Sequence, residues 1–94
     1  MSTETVERSE LTIVNELGLH ARAAAAFVKI ANRYRANITV AKDGVQVNGK
    51  SIMGVLMLAA AKGTIIAVEA QGDDAREALQ ALTALVAAKF GETK

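Results

Sequence analysis

The chain has 94 residues, 51% of them apolar, and its only aromatic residues are two phenylalanines and one tyrosine. This length suits one compact domain over residues 1–94, with an aliphatic core. Eleven basic residues face ten acidic ones. That near balance argues against nucleic acid as a partner, since such binding calls for a clear basic excess. With no cysteine and one histidine, the chain also excludes disulfides and gives no support for a metal site or another cofactor.

The N-terminal residues MSTETVERSE are polar and acidic. They have neither the basic start nor the apolar stretch of a secretory signal. No apolar run in the sequence approaches the ~20 residues that a membrane span needs. We therefore expect a cytoplasmic protein without membrane insertion, in which residues 1–8 form a loose N-terminal extension.

The first half of the chain predicts a strand, a helix and a hairpin. Apolar and polar residues alternate along residues 9–15 (SELTIVN), as they do in a strand, and Gly18 marks the following turn. From Ala21 onward, apolar residues recur at helical spacing, which places His20 at or next to the N-cap. An Asp-Gly pair joins the β-rich runs 37–42 and 45–48, which indicates a tight hairpin. The expected buried face of the helix is Ala24, Phe27, Val28 and Ala31.

The second half predicts a short helix, a strand and a longer helix. Ser51 is a suitable N-cap for the short helix, and Gly63 closes that segment. Residues 64–71 (TIIAVEAQ) form the last strand. Asp74 and Glu77 have the spacing of a capping box for the final helix, which Gly91 would end. Its expected buried face is Ala78, Leu79, Leu82, Leu85, Val86 and Phe90.

The element order βαββαβα predicts an α+β fold. We expect an open-faced β-sandwich, in which three helices cover one face of a four-stranded, mostly antiparallel sheet.

His20 is the residue most suggestive of chemistry. A helix start exposes unpaired backbone N–H groups and carries a partial positive charge, so it attracts anions. A neutral imidazole there can accept a phosphoryl group, whose oxygens the amides of Ala21, Arg22 and Ala23 would meet. The Arg22 guanidinium matches phosphate geometry. The alternative from the residues alone is an exposed or capping histidine without chemistry, and the pattern does not identify the attacking nitrogen.

Two separated motifs resemble the phosphocarrier HPr family of the bacterial phosphoenolpyruvate-dependent sugar phosphotransferase system. The first is GLHAR with the apolar run 24–30, and the second is NGKSIMGVLML at residues 48–58. The resemblance extends from about Leu11 to Glu92, including QGDDAREAL and the ending FGE. It implies an open-faced β-sandwich and a carrier that is not itself an enzyme.

The resemblance also implies roles for individual residues. His20 would receive phosphate from phospho-Enzyme I and pass it to sugar-specific IIA domains, with Arg22 beside the phosphate. Ser51 would be the regulatory serine that HPr kinase/phosphorylase modifies. The partners would dock on the second helix together with the first. Apart from the resemblance, we expect the protein to be a monomer. The implied docking residues on the second helix are Ile52, Met53, Leu56 and Met57.

One position departs from the family pattern, which usually reads H-A-R-P-A. Here Ala23 replaces the proline. Alanine regains an N–H donor, but it restrains the first turn less before folding, at a cost of about 0.4–1 kcal/mol. The substitution leaves the nucleophile and the arginine in place, and it puts partner choice and transfer rate in question.

Several of these residues also have structural interpretations. Ser51 is explained as an N-cap, and methionines four residues apart are often core fillers. Arg22, Lys29, Arg33 and Lys50 either steer acidic partners or form a solvated charged face. Two rival functions follow. One is a regulatory module of the same fold that is switched at Ser51, and the other is a small nucleic-acid-binding domain that uses GKSIMG as a loop clamp.

Overall fold

The computed structural model describes residues 5–94 and forms one four-stranded sheet with three α-helices. The strands are β1 (Val6–Thr12), β2 (Asn37–Lys42), β3 (Val45–Asn48) and β4 (Ile65–Gln71). The α-helices are α1 (Ala21–Ala31), α2 (Ile52–Met57) and α3 (Ala75–Ala87). A 3₁₀ turn follows at Lys89–Gly91. The predicted element order and fold class are confirmed.

The sheet has the strand order β1-β4-β2-β3, and every neighbouring pair is antiparallel. The sheet was expected to be mostly antiparallel, and it is entirely antiparallel. Buried and more exposed positions alternate along β2 and β4, as they do in a sheet covered on one face. The helices cover the buried face, where one continuous aliphatic cluster forms around Phe27, Val55 and Leu82.

The first strand lies earlier than the sequence predicted. It begins at Val6, inside the expected loose extension 1–8, and ends at Thr12 rather than at residue 15. Pairing with β4 explains the shift, because Val6 to Thr12 match Gln71 to Ile65 residue for residue. Cross-strand pairing thus orders a polar, charged segment that local pattern leaves unassigned. Residues 1–4 of the expected extension lie outside the described part.

The final helix also differs at both ends. Asp74 is its N-cap, but the Asp74 side chain makes no capping bond, so the predicted capping box is wrong. Instead the Asp74 carboxylate accepts hydrogen bonds from the backbone amides of Arg35 and Ala36, both at 2.9 Å. The helix ends at Ala87, and Phe90 reaches the core from a residue with φ 57° rather than from the helix face. Leu85 is only partly buried.

The Asp74 contact predicts acid sensitivity. The backbone hydrogen bond from Arg35 is the main reason why the pKa of the Asp74 carboxyl lies below its usual value. A carboxyl whose pKa is lower in the folded state stabilises the fold above its unfolded pKa of about 3.9, and this stabilisation is lost as pH falls through the folded pKa. The urea midpoint of unfolding should therefore drop on acidification below about pH 4. The midpoint of the Asp74→Asn variant should drop less.

The matched control for this experiment is Asp73→Asn. Asp73 is exposed and precedes the cap, so the substitution removes the same charge without touching the two amides. Urea titrations of the three proteins at pH 6 and pH 3 separate the effects. An equal acid response of Asp74→Asn and Asp73→Asn would contradict this role of Asp74.

Candidate functional site

His20 lies at the N-cap of α1, as the sequence predicted. Its backbone is extended, with φ −76° and ψ −179°, and its side chain makes no capping bond. The first intrahelical bond runs from the Ala24 amide to the His20 carbonyl, at 2.8 Å. Within residues 5–94, no backbone acceptor pairs with the amides of residues 21–23. The helix therefore presents three unpaired donors beside the imidazole.

The loop before His20 is held against the segment that follows α2. The Leu19 amide donates to the Ala60 carbonyl at 2.8 Å, and Leu19 itself is buried. Gly18 adopts φ +67°, the left-handed region that favours glycine. A Cβ at Gly18 would lie 2.6 Å from the Ala60 carbonyl oxygen, so the turn also requires the absence of a side chain.

A carboxylate that the sequence did not reveal contacts the imidazole. The Nε2 atom of His20 bonds to Oε2 of Glu92, while Oε1 of Glu92 accepts from Nδ2 of Asn15 at 2.9 Å. These bonds, the Asn15 bond first, hold the pKa of the Glu92 carboxyl below its usual range. An ionised carboxylate only accepts hydrogen bonds, so Nε2 is the protonated nitrogen and Nδ1 of the neutral ring has the lone pair.

An open depression of about 820 Å³ lies over this contact. The β1–α1 loop and the first turn of α1 form one wall, and residues 90–94 form the other. Arg22 lines the depression, is exposed and, within residues 5–94, makes no salt bridge. The side chain of Leu17, 71% exposed, lies in the same wall. The site therefore offers an imidazole, a guanidinium and unpaired backbone amides. It also offers an apolar side chain, Leu17, which the sequence did not indicate.

Ser51 and the α2 side chains form a second feature. Ser51 is the N-cap of α2, and its hydroxyl accepts from the Gly54 amide at 3.0 Å, so the capping interpretation is confirmed. Met53 and Met57 are 72% and 75% exposed, which shows that their interpretation as core fillers is wrong. Ile52 is also exposed, whereas Leu56 is partly buried against the core. The exposed side chains Ile52, Met53 and Met57 are called the α2 patch below.

The predicted basic residues are not equivalent. Lys29 is exposed on α1, in its last turn. The Lys50 ammonium instead donates to the Tyr34 carbonyl at 2.7 Å, which ties the start of α2 to the end of α1. Lys50 is thus partly engaged inside the fold, while Lys29 is available to solvent.

Two negative findings for residues 5–94 bear on other functions. No group of three or more His, Cys, Asp or Glu side chains is placed to hold a metal ion. None of the helices described is both long enough and apolar enough to span a bilayer.

Similarity to known proteins agrees with this geometry. Residues 7–88 match the family described as PTS HPr component phosphorylation site. The phosphocarrier protein HPr of Neisseria meningitidis serogroup A is 49% identical over 85 residues, 90% of this chain and 96% of that protein. The HPr-like protein Crh of Bacillus subtilis is 51% identical over 69 residues, 73% of this chain and 81% of that protein.

Among solved structures, HPr from Thermoanaerobacter tengcongensis superimposes with a TM-score of 0.90 at 43% identity. The match covers 94% of this chain and 99% of that one. Sequence and fold therefore agree over nearly the whole chain, including the helix start that bears His20. The chain belongs to the HPr family, the phosphocarrier proteins of the phosphotransferase system.

Proposed function

We propose that His20 is the phosphoryl-carrying residue, which accepts phosphate from phospho-Enzyme I and passes it to sugar-specific IIA domains in the cytoplasm. The observation that carries the proposal is the N-cap imidazole, whose Nε2 proton is held by Glu92 and whose Nδ1 lone pair is left for attack. It lies beside the unpaired amides of residues 21–23.

The transfer needs no proton movement at the ring. Nδ1 attacks phosphorus while the bond to the donor's leaving group breaks, and the proton stays on Nε2 beside the Glu92 carboxylate. The product is a phosphohistidine with a positive ring. Onward transfer to an acceptor breaks the N–P bond and restores the neutral imidazole. The Arg22 guanidinium and the amides of Ala21 and Arg22 stabilise the phosphoryl oxygens.

The replacement of the family's proline by Ala23 is compatible with this role. Ala23 is fully buried in the first turn of α1 and continues the helix without interruption. Its amide is a donor that a proline would lack. Because Ala23 is fully buried, however, the backbone donors within reach of a phosphoryl group are the amides of the exposed residues Ala21 and Arg22.

The α2 patch and the exposed Lys29 are the proposed docking surface for both donor and acceptor. Flexible methionine side chains adapt to partners of different shape, which suits a carrier that meets several proteins in turn. Lys50 contributes to this surface mainly by anchoring the start of α2. We propose that the carrier acts as a monomer, because a self-association through the patch would compete with docking.

The experiment that tests the function is reconstitution. The purified chain is incubated with Enzyme I and phosphoenolpyruvate, and intact mass and phosphorus NMR follow the gain of one acid-labile phosphoryl group. A IIA domain is then added, and the label should move to it. A folded chain that gains no phosphate from an Enzyme I active on another HPr would refute the carrier proposal.

A second candidate is a regulatory module switched at Ser51, favoured by the similarity to the HPr-like protein Crh. The Ser51 hydroxyl already lies at a helix start, next to the α2 patch. Phosphorylation by an HPr kinase/phosphorylase would add about −1.5 to −2 charge there. Partner binding and cellular output that survive His20→Ala but change with Ser51→Ala would favour this module.

Charge and capping at Ser51 can be separated with two variants. Ser51→Asp keeps a good N-cap and adds a negative charge, so stability should hold while affinity for Enzyme I falls about tenfold, or about 1.4 kcal/mol. Ser51→Ala removes the cap and should cost about 0.5–2 kcal/mol of stability with little change in affinity. Isothermal titration and urea unfolding measure the two quantities. An unchanged affinity of Ser51→Asp would show that the docked surface does not reach this residue.

A further inference from the structure

Asn15 is a buried polar side chain that the phosphoryl chemistry described above leaves unexplained. It is 0% exposed in a core whose other buried side chains, among the residues described, are hydrophobic. Its Nδ2 group uses both hydrogens, donating to the Gly18 carbonyl at 2.8 Å and to Oε1 of Glu92 at 2.9 Å. Its Oδ1 atom has no hydrogen-bond partner within residues 5–94.

The orientation of this amide is determined by the two acceptors. A flipped side chain would point Oδ1 at the Gly18 carbonyl and at the Glu92 carboxylate, and both are acceptors that would repel it. The observed orientation instead leaves Oδ1 buried and unpaired, which costs free energy. The fold therefore tolerates an unfavourable buried acceptor in order to hold the Glu92 carboxylate.

The backbone of the segment just before Glu92 is strained, and this strain also serves the contact with His20. Lys89, Phe90 and Gly91 are three consecutive residues with positive φ, at 59°, 57° and 83°. Such a conformation is unfavourable for the two residues that are not glycine. It reverses the chain after α3, and the Glu16 amide then binds the Lys94 carbonyl at 3.0 Å. Two independent unfavourable features, the unpaired Oδ1 and the left-handed run, thus support one contact between Glu92 and His20.

We propose that Asn15 is a positioning residue that holds the Glu92 carboxylate on Nε2 of His20 and thereby keeps the lone pair at Nδ1. The proposal rests on the function proposed for His20. Asn15 does not touch the phosphoryl group and acts through Glu92. Asn15 lies in the loop between β1 and α1, and Glu92 follows the C-terminal 3₁₀ turn, so the device joins segments that are far apart in the sequence.

The consequence is a fixed tautomer. Without an acceptor at Nε2 the neutral imidazole exchanges between its two protonated forms, and only the Nε2–H form presents Nδ1 toward a phosphoryl donor. In metal sites, the groups that orient a functional histidine from one contact further out commonly contribute about 10- to 100-fold, and the same orienting role applies here. Loss of the Asn15 amide should therefore slow phosphorylation about tenfold or more without removing the nucleophile.

The test is a double-mutant cycle of Asn15→Ala and Glu92→Ala in the full chain. Nitrogen-15 NMR of His20 reads the tautomer, and the initial rate with Enzyme I and phosphoenolpyruvate reads the chemistry. Each single variant should move the ring from the Nε2–H form toward a mixture and lower the rate about tenfold. The double variant should be no slower than Glu92→Ala, because Asn15 acts only through that carboxylate. Glu16→Ala is the matched control, since it removes an exposed carboxylate from the same depression.

A wild-type tautomer in Asn15→Ala would overturn the proposal, and so would an equal further loss of rate when Asn15→Ala is added to Glu92→Ala. If Asn15→Ala does not fold, Asn15→Leu takes its place, because a side chain of larger, apolar volume removes both the donor to Glu92 and the unpaired Oδ1, and the His20 tautomer must shift in it as well. The tautomer is measured without any phosphoryl donor. Failure of this inference is therefore distinguishable from failure of the carrier function, in which the wild-type chain gains no phosphate.

Discussion

His20→Ala is expected to abolish acid-labile phosphorylation of the chain. His20 is the only histidine in the sequence, and the other groups at the start of α1 have no lone pair suited to attack at neutral pH. In a serine protease, removal of the nucleophile lowers kcat by about 10⁶-fold, and a loss of that order here means no detectable transfer. The fold should survive, because the imidazole is partly exposed and its one bond is to Glu92 near the C-terminus.

The measurement is intact mass after incubation with Enzyme I and phosphoenolpyruvate, repeated after mild acid treatment. Phosphate on a ring nitrogen is lost in acid, whereas phosphate on a serine hydroxyl survives. Ser51→Ala is the matched control and should gain phosphate as the wild-type chain does. Label that persists in His20→Ala and disappears in Ser51→Ala would contradict His20 as the carrier.

Gly18→Ala is expected to be the most disruptive single-methyl change near the site. The left-handed φ of +67° costs an L-residue about 1–2 kcal/mol. In addition, the new Cβ would lie 2.6 Å from the Ala60 carbonyl oxygen and 3.0 Å from the Ala61 Cα. Both atoms are backbone, so relief requires the loop to move, and overpacking of this kind costs about 1–3 kcal/mol more.

The same movement should slow phosphorylation although His20 is intact. The clash falls on the Ala60 carbonyl, which accepts the Leu19 amide and so holds the residue next to His20. Urea unfolding should show a loss of about 2–5 kcal/mol of stability, the sum of the strain and the clash. The transfer rate should fall at least tenfold, because small misplacements of reacting groups are costly.

Gly44→Ala is the control that isolates the clash. Gly44 also has a positive φ, +82°, but a Cβ there would meet no atom within 4 Å. Gly44 lies in the β2–β3 turn, away from His20. The Gly44→Ala variant should therefore lose only the conformational part of the stability, about 1–2 kcal/mol. Equal losses of stability in the two variants would show that the Ala60 contact is unimportant.

The α2 patch illustrates a question that periodicity alone leaves open. The spacing of Met53 and Met57 fits a buried stripe as well as an exposed one, because a helix places both on one side in either case. Which side of a six-residue helix faces the core depends on how α1 and the sheet pack against it. The structure buries Val55 and leaves both methionines in solvent.

Local signals determined the elements of this protein that depend on neighbouring residues. The Asp43-Gly44 hairpin, the N-cap positions of His20 and Ser51 and the buried face of α1 follow from turn chemistry and from a period of 3.6 residues. These features lie within a few residues of their causes. The motif at His20 and Arg22 left a capping histidine open, and it was the resemblance of two separated motifs, GLHAR and NGKSIMGVLML, that indicated a phosphoryl carrier.

Tertiary structure alone decided the contacts between distant segments. The start of β1 at Val6 depends on pairing with Gln71, and the Asp74 carboxylate binds amides at residues 35 and 36 rather than its own helix. Asn15, His20 and Glu92 meet because the C-terminal turn folds back over the start of α1, 72 positions away in the case of His20 and Glu92. No spacing rule reports such a contact, because its geometry is the sum of the whole chain's packing.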